Sequence, residues 1–188
     1  MFYQKIFDET YSLCYIKSMK KLFTNQNIYK KLRMLGDILK EKNLHLAIAE
    51  SCTGGLVGYF ITEIPGSSEY FNGSFVAYSN ILKKRILKVP KTLLKKYSAV
   101  SKEVSIAMAK GAKKIGKADI SIAITGIAGP LSIPQDKPVG LVYIAVCFTK
   151  HHIKVEEFHF EGDRSTIKMK SAIAAIDYLI KELKTKIN

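Results

Sequence analysis

The sequence predicts one α/β domain, a mixed β-sheet with helices on both faces. Three observations predict it. Apolar runs with strand alternation recur near 44–49, 74–78 and 119–125, and stretches of helical period separate them. Two further runs, 139–149 and 153–160, lie close enough to pair as an antiparallel hairpin through a turn at 150–152. The 188 residues are 47% hydrophobic and 24% charged, enough for one core and too apolar for a disordered chain. Strands alternating with helices argue parallel pairing, and the late hairpin adds antiparallel strands, hence a mixed sheet. No internal repeat interrupts the pattern.

Residues 1–27 mix aromatics with lysines at no clear period and read as an extension to a domain spanning 28–188. A helix follows, with Leu32, Leu35, Ile38 and Leu39 on one face and Asn25 or Asn27 as its cap. Leu44, Leu46 and Ile48 then alternate with His45, Ala47 and Ala49; small residues on the second face predict a strand covered on both sides. A short helix is expected at 56–62 and a turn at Pro65-Gly66-Ser67-Ser68. After the strand at 74–78, Asn80 is the expected cap of a helix that buries Ile81, Leu82, Ile86 and Leu87 and leaves Lys83, Lys84, Arg85 and Lys88 outside. Ser101 caps a further helix with Val104, Met108, Gly111 and Ile115 on one stripe. The closing helix follows Asp163, a good N-cap, and carries Ile173, Ile176, Ile180, Leu183 and Ile187.

Thirty Lys+Arg against sixteen Asp+Glu give a net charge of +14. Such a field attracts phosphates, nucleic acid or acidic membranes, and a lysine-rich coding bias would produce it equally well. Seven of the basic residues fall within 83–96 without an acid. Only Tyr97 lies near enough to stack on a base, so the run reads as a solvated helical face more than a nucleic-acid patch. Cys14, Cys52 and Cys147 form no CxxC, and His45, His151, His152 and His159 have no ligand spacing, so neither a disulfide framework nor a metal site is expected. No apolar run approaches the ~20 residues of a membrane span. Lys5, Asp8 and Glu9 occupy the place of a signal peptide's apolar stretch, which predicts a cytoplasmic protein.

Ligands of open α/β sheets bind beyond the carboxyl ends of the strands. Three loops have that position. Glu50-Ser51-Cys52-Thr53-Gly54-Gly55 puts two hydroxyls and a thiol at a strand-to-helix corner, where helix N–H groups could hold an anion or an oxyanion; alternatively Ser51 and Thr53 only cap the helix and Cys52 is a small core residue. Thr125-Gly126-Ile127-Ala128-Gly129-Pro130 is neither a P-loop nor a dinucleotide fingerprint, but could present N–H groups to one small anion. The third, 78–83, contains Lys83; a lysine among other cations and partly buried becomes a usable base. Arg164 is either solvated or a fork for a phosphate.

Taken in order, AESCTGG at 49–55, PGSS at 65–68, FVAYSN at 75–80 with Lys83 three residues on, AVS at 99–101, ITGIAGP at 124–130, KPVG at 137–140 and Glu161-Gly162-Asp163-Arg164 resemble the CinA C-terminal domain family over about residues 28–179. That family includes nicotinamide-nucleotide amidases. The resemblance implies a cytoplasmic, oligomeric α/β enzyme that hydrolyses the carboxamide of nicotinamide mononucleotide to nicotinic acid mononucleotide and ammonia in NAD recycling, with no cofactor and no metal. It implies Ser51 as nucleophile, with Tyr78 and Lys83 as its catalytic partners. Substrate contacts would come from Cys52, Thr53, Gly54, Gly55, Thr125, Gly126, Gly129 and Arg164. The chemistry is coherent: a serine, a neutral lysine as base, a tyrosine to relay protons and N–H groups of the 52–55 corner for the oxyanion. Two features depart from the family pattern. Leu131-Ser132-Ile133 replaces a polar Asp-Gly-Gly, and Lys168 replaces a second arginine, keeping the charge without the fork. The alternative class is a non-catalytic nucleotide-binding or DNA-associated accessory protein in which the net charge is the operative feature.

Overall fold

The computed structural model describes residues 26–132, 137–149 and 151–187. The expected extension up to residue 25, the Asn25 cap, Cys14 and part of the 150–152 turn lie outside them. In chain order the elements are α1 Gln26–Glu41, β1 Leu46–Glu50, α2 Leu56–Thr62, β2 Phe71–Val76, α3 Asn80–Arg85, α4 Lys91–Tyr97, α5 Lys102–Ile115, β3 Ile120–Gly126, β4 Leu141–Cys147, β5 Ile153–His159 and α6 Arg164–Ile187. The sheet runs β2-β1-β3-β4-β5. β1 pairs in parallel with β2 and β3, while β3–β4 and β4–β5 are antiparallel. The mixed α/β sheet is therefore as the sequence predicts, with β1 central among the parallel strands.

Strand alternation divides the interior by side-chain size. Leu46, Ile48, Ile120, Ile122, Ile124, Ile144 and Val146 point into the cluster beneath α1, α2 and α6. Ala49, Ala123, Ala145 and Cys147 point the other way, into the cluster that holds Val104, Met108 and Ala112 of α5. Small side chains let α5 lie close to the sheet. On its other side α5 meets the segment after α3: at Gly111 an added Cβ would stand 2.1 Å from the Leu87 carbonyl oxygen, so any side chain there would push α5 off that segment.

Several local expectations need correction. β2 begins three residues before the expected 74 and ends at Val76. The cap of α3 is Ser79, whose Oγ accepts from Leu82 N at 3.2 Å, and Asn80 is already helical. With that register Ile81 and Leu82 are 63% and 36% exposed, and the buried pair one turn apart is Lys83 and Leu87. Nor is 83–96 one helical face: α3 ends at Arg85 and α4 starts at Lys91. Ser101 and Asp163 do cap their helices, accepting from Val104 N at 3.3 Å and Thr166 N at 2.7 Å. Ile115, expected on the α5 stripe, is 38% exposed.

Candidate active site

Because side chains alternate along β1, its last residue and the next diverge. Glu50 falls on the side of the large aliphatics, and Ser51 on the side of Ala47 and Ala49, toward α3. Both are held by main-chain bonds: Ser51 N donates to Ile124 O at 3.0 Å and Ala77 N to Glu50 O at 2.8 Å. Ser51 and Lys83, 32 residues apart, meet here. Lys83 Nζ lies 2.8 Å from Ser51 Oγ and donates to the carbonyls of Ala77 at 3.0 Å and Tyr78 at 3.2 Å. Lys83 is 1% exposed. Burial lowers its pKa from 10.5 to about 8, against a smaller opposing pull from Cys52. As an ammonium it donates to the serine; as an amine it can accept the serine's proton.

A pocket of about 270 Å³ opens over this pair. It is lined by Ser51, Cys52, Tyr78, Lys83, Thr125, Gly126, Gly129 and Arg164, together with Ala99, Val100, Ile127, Ala128 and Leu131. Tyr78 is 59% exposed at the mouth. Its hydroxyl accepts from Arg164 Nη2 at 3.0 Å, and Arg164 Nη1 donates to Gly129 O at 2.6 Å, so one guanidinium joins the second loop to the third. It is the Tyr78 carbonyl, not its hydroxyl, that meets Lys83. Thr125 Oγ1 donates to Ala99 O at 2.9 Å, and Lys137 Nζ donates to Tyr97 O at 3.0 Å, Ser98 Oγ at 2.8 Å and Val100 O at 2.5 Å, fixing the 97–100 wall.

Thr53, Gly54 and Gly55, expected around the substrate, do not line this pocket. Neither Ser51 nor Thr53 caps α2: the cap position is Gly55, with no side-chain bond of its own. The carboxylate of Glu50 does the capping. Thr53 Oγ1, Gly55 N and Val57 N donate to Oε2 at 2.7, 3.0 and 3.1 Å, and Gly58 N and Ser74 Oγ donate to Oε1 at 2.9 and 2.8 Å. Gly54 N bonds to the Ser51 carbonyl at 3.2 Å. The corner's N–H groups are thus largely committed, and those of Cys52 and Thr53 lie against the Cys52 sulfur. Burial pushes the Cys52 thiol up to about 12, so it stays protonated at neutral pH. Glu50 is the residue the sequence reading passed over. Its one signal is an acid at the end of a doubly covered strand, where a buried carboxyl group must find hydrogen-bond donors.

Arg164 and Lys168 stand one turn apart on α6. Lys168 reaches over the corner, its Nζ 3.6 Å from where a Gly54 Cβ would be. Lys84, Arg85, Lys88, Lys91, Lys95 and Lys96 are all exposed on and around α3 and α4. Among the described residues no cluster of three His, Cys, Asp or Glu could hold a metal ion, and no helix is long and apolar enough to cross a membrane.

Fold and site together define a class: an α/β protein with a serine and a buried lysine paired at the carboxyl end of its central parallel strands. The chain belongs to the CinA family, whose C-terminal domain model matches residues 29–183. It is 47% identical over 149 residues to a CinA-like protein of Thermotoga neapolitana, covering 79% of this chain and 36% of that protein. A CinA-like protein of Geobacter sulfurreducens is 45% identical over 148 residues, again 79% and 36%. The chain thus spans about a third of the length of these curated relatives. Among solved structures, competence/damage inducible protein CihA from Agrobacterium tumefaciens superposes with a TM-score of 0.79 at 34% identity, covering 84% of this chain and 95% of that one. Competence damage-inducible protein A from Klebsiella pneumoniae gives 0.81 at 27%, covering 84% and 97%.

Proposed function

We propose that this domain hydrolyses the carboxamide of nicotinamide mononucleotide, releasing nicotinic acid mononucleotide and ammonia. The observation that carries the proposal is the 2.8 Å contact between Ser51 Oγ and a buried Lys83 whose pKa lies near 8. In its amine form Lys83 takes the Ser51 proton as Oγ bonds to the carboxamide carbon. The oxyanion takes the N–H groups of Cys52 and Thr53, which neither Glu50 nor the Ser51 carbonyl engages and which otherwise lie against the protonated Cys52 thiol. Lys83 then returns the proton to nitrogen, the C–N bond breaks and ammonia departs, leaving an ester on Ser51. A water gives one proton to Lys83 as its oxygen bonds to the ester carbon, Lys83 passes that proton to Ser51 Oγ as the C–O bond breaks, and the carboxylic acid released ionises to solvent. Tyr78 holds Arg164 across the mouth, where the guanidinium and Lys168 offer positive charge to the phosphate. The fold class of the family's solved members and the family membership itself are consistent with this reading.

Ammonia release from nicotinamide mononucleotide, nicotinamide and NAD, each with a chelator present, tests it. The mononucleotide is expected to react fastest, with no loss to the chelator and with kcat/KM rising through an ionisation near pH 8. Equal rates on nicotinamide, or activity lost with the chelator, overturn it. Lys83→Arg, which keeps the charge but cannot give up its proton, should cost about 10²-fold in kcat.

A further inference from the structure

Glu50 is fully buried, with no lysine or arginine within ion-pair distance among the described residues. All five groups around it donate: three main-chain N–H groups and two hydroxyls. A carboxylate accepts on both oxygens, whereas a neutral amide must present a donor at one end. The site is therefore built for the charged form. Space is reserved for it too: a Cβ on Gly58 would stand 2.9 Å from Ser74 Cβ and 3.4 Å from Glu50 Oε1.

What this carboxylate grips decides what it does. Thr53, Gly55, Val57 and Gly58 follow Ser51 within seven residues, so both ends of the serine's turn are tied to the residue before it. Ser74 brings in β2, and the Glu50 main chain takes Ala77 N, whose own carbonyl receives Lys83 Nζ. A closed circuit results, from Glu50 to Ala77, to Lys83, to Ser51 and back along the chain. We propose that Glu50 is a positioning residue that holds Ser51 Oγ against Lys83 Nζ by clamping the start of α2 and the end of β2 to the strand end before the serine. The proposal rests on the amidase reading for its kinetic consequence but not for its structural one.

The test is Glu50→Gln, read by a crystal structure of the variant and by kcat and KM on nicotinamide mononucleotide. The amide must leave at least one N–H of Gly55, Val57 or Gly58 facing a donor, so the turn shifts. The expected result is a Ser51–Lys83 separation beyond hydrogen-bonding distance and a kcat lowered about 10- to 10²-fold, with KM changed less than about threefold because Arg164 and Lys168 lie on another element. If the contact stays at 2.8 Å and kcat is kept, the proposal fails. If the wild type shows no hydrolysis but the variant still breaks the contact, the positioning role stands and the substrate reading falls. Should Glu50→Gln not fold, Thr53→Val with Ser74→Ala removes one donor from each carboxylate oxygen and leaves the main-chain donors. That pair is expected to lower kcat by several-fold with KM unchanged, and an unchanged kcat there overturns the proposal equally.

Discussion

The two faces of one sheet are put to different uses. Toward α1, α2 and α6, β1 and β3 send leucines and isoleucines, every one of them nearly inaccessible and each stabilising by roughly 1.5–3 kcal/mol through burial. Toward α5 the same strands send alanines and then, at their carboxyl ends, Ser51 and Thr125. The first face is packed with large aliphatics up to the Glu50 carboxylate at the strand end, and the second with alanines against α5 up to the hydroxyls that line the pocket. What the comparison teaches is that small side chains in a strand mark not only close helix packing but also the side on which space is left for chemistry.

Substitutions on each face should separate stability from rate. The largest effect is expected from Ser51→Ala, at about 10³-fold or more in kcat with an unchanged melting temperature, whereas Ile122→Ala on the opposite face should cost about 2–5 kcal/mol in denaturant unfolding and leave kcat per folded molecule intact. A common loss of both properties in either variant would erase the distinction.

Next in size is a trade between the two properties within one residue. Lys83 carries a folded pKa near 8 against an ordinary 10.5, so the unfolded chain binds more protons between those values and the wild type gains stability as the pH rises through that window. Below pH 8 the full cost applies, about 3 kcal/mol at 1.36 kcal/mol per pH unit. Lys83→Met removes it but orphans two carbonyls. At pH 7 the variant should be inactive yet more stable by about 1 kcal/mol or more, and its advantage should shrink between pH 8 and 10.5 in thermal melts taken across that range. A variant less stable at pH 7 than at pH 10 relative to wild type would reverse the sign and refute the assignment.

The smallest effect is expected at Cys52. It shares the pocket with Ser51, but a thiol held near 12 supplies almost no thiolate at neutral pH. Cys52→Ala should keep kcat within a few-fold, and iodoacetamide should label the wild-type residue slowly at pH 7.5. Rapid labelling with loss of activity would move the attacking atom from oxygen to sulfur.

Much of the fold was legible because strands buried on both faces leave a clear mark: large residues at 46 and 48 with alanines at 47 and 49, and the same alternation at 120–125. The antiparallel hairpin and the caps at Ser101 and Asp163 were legible for local reasons too. The site was less so. Reading apolar residues as the inner face of α3 fails because Lys83 finds three acceptors, two carbonyls just before the helix and Ser51 32 residues away, and apolar periodicity encodes none of them. Glu50 was missed for the same reason, since an acid at a strand end looks solvated until five donors converge on it. Of the N–H groups expected free at the 52–55 corner, those of Gly54 and Gly55 were already taken, by the Ser51 carbonyl and by Glu50.

Lys137 stiffens one side of the pocket. Its ammonium joins the segment entering β4 to three acceptors on residues 97, 98 and 100, while Thr125 ties β3 to Ala99. Two stretches more than thirty residues apart in sequence are riveted into a single panel at the back of the pocket. Neither can swing outward alone without stripping a cation of its ligands, so the rear of the cavity behaves as one stiff plate.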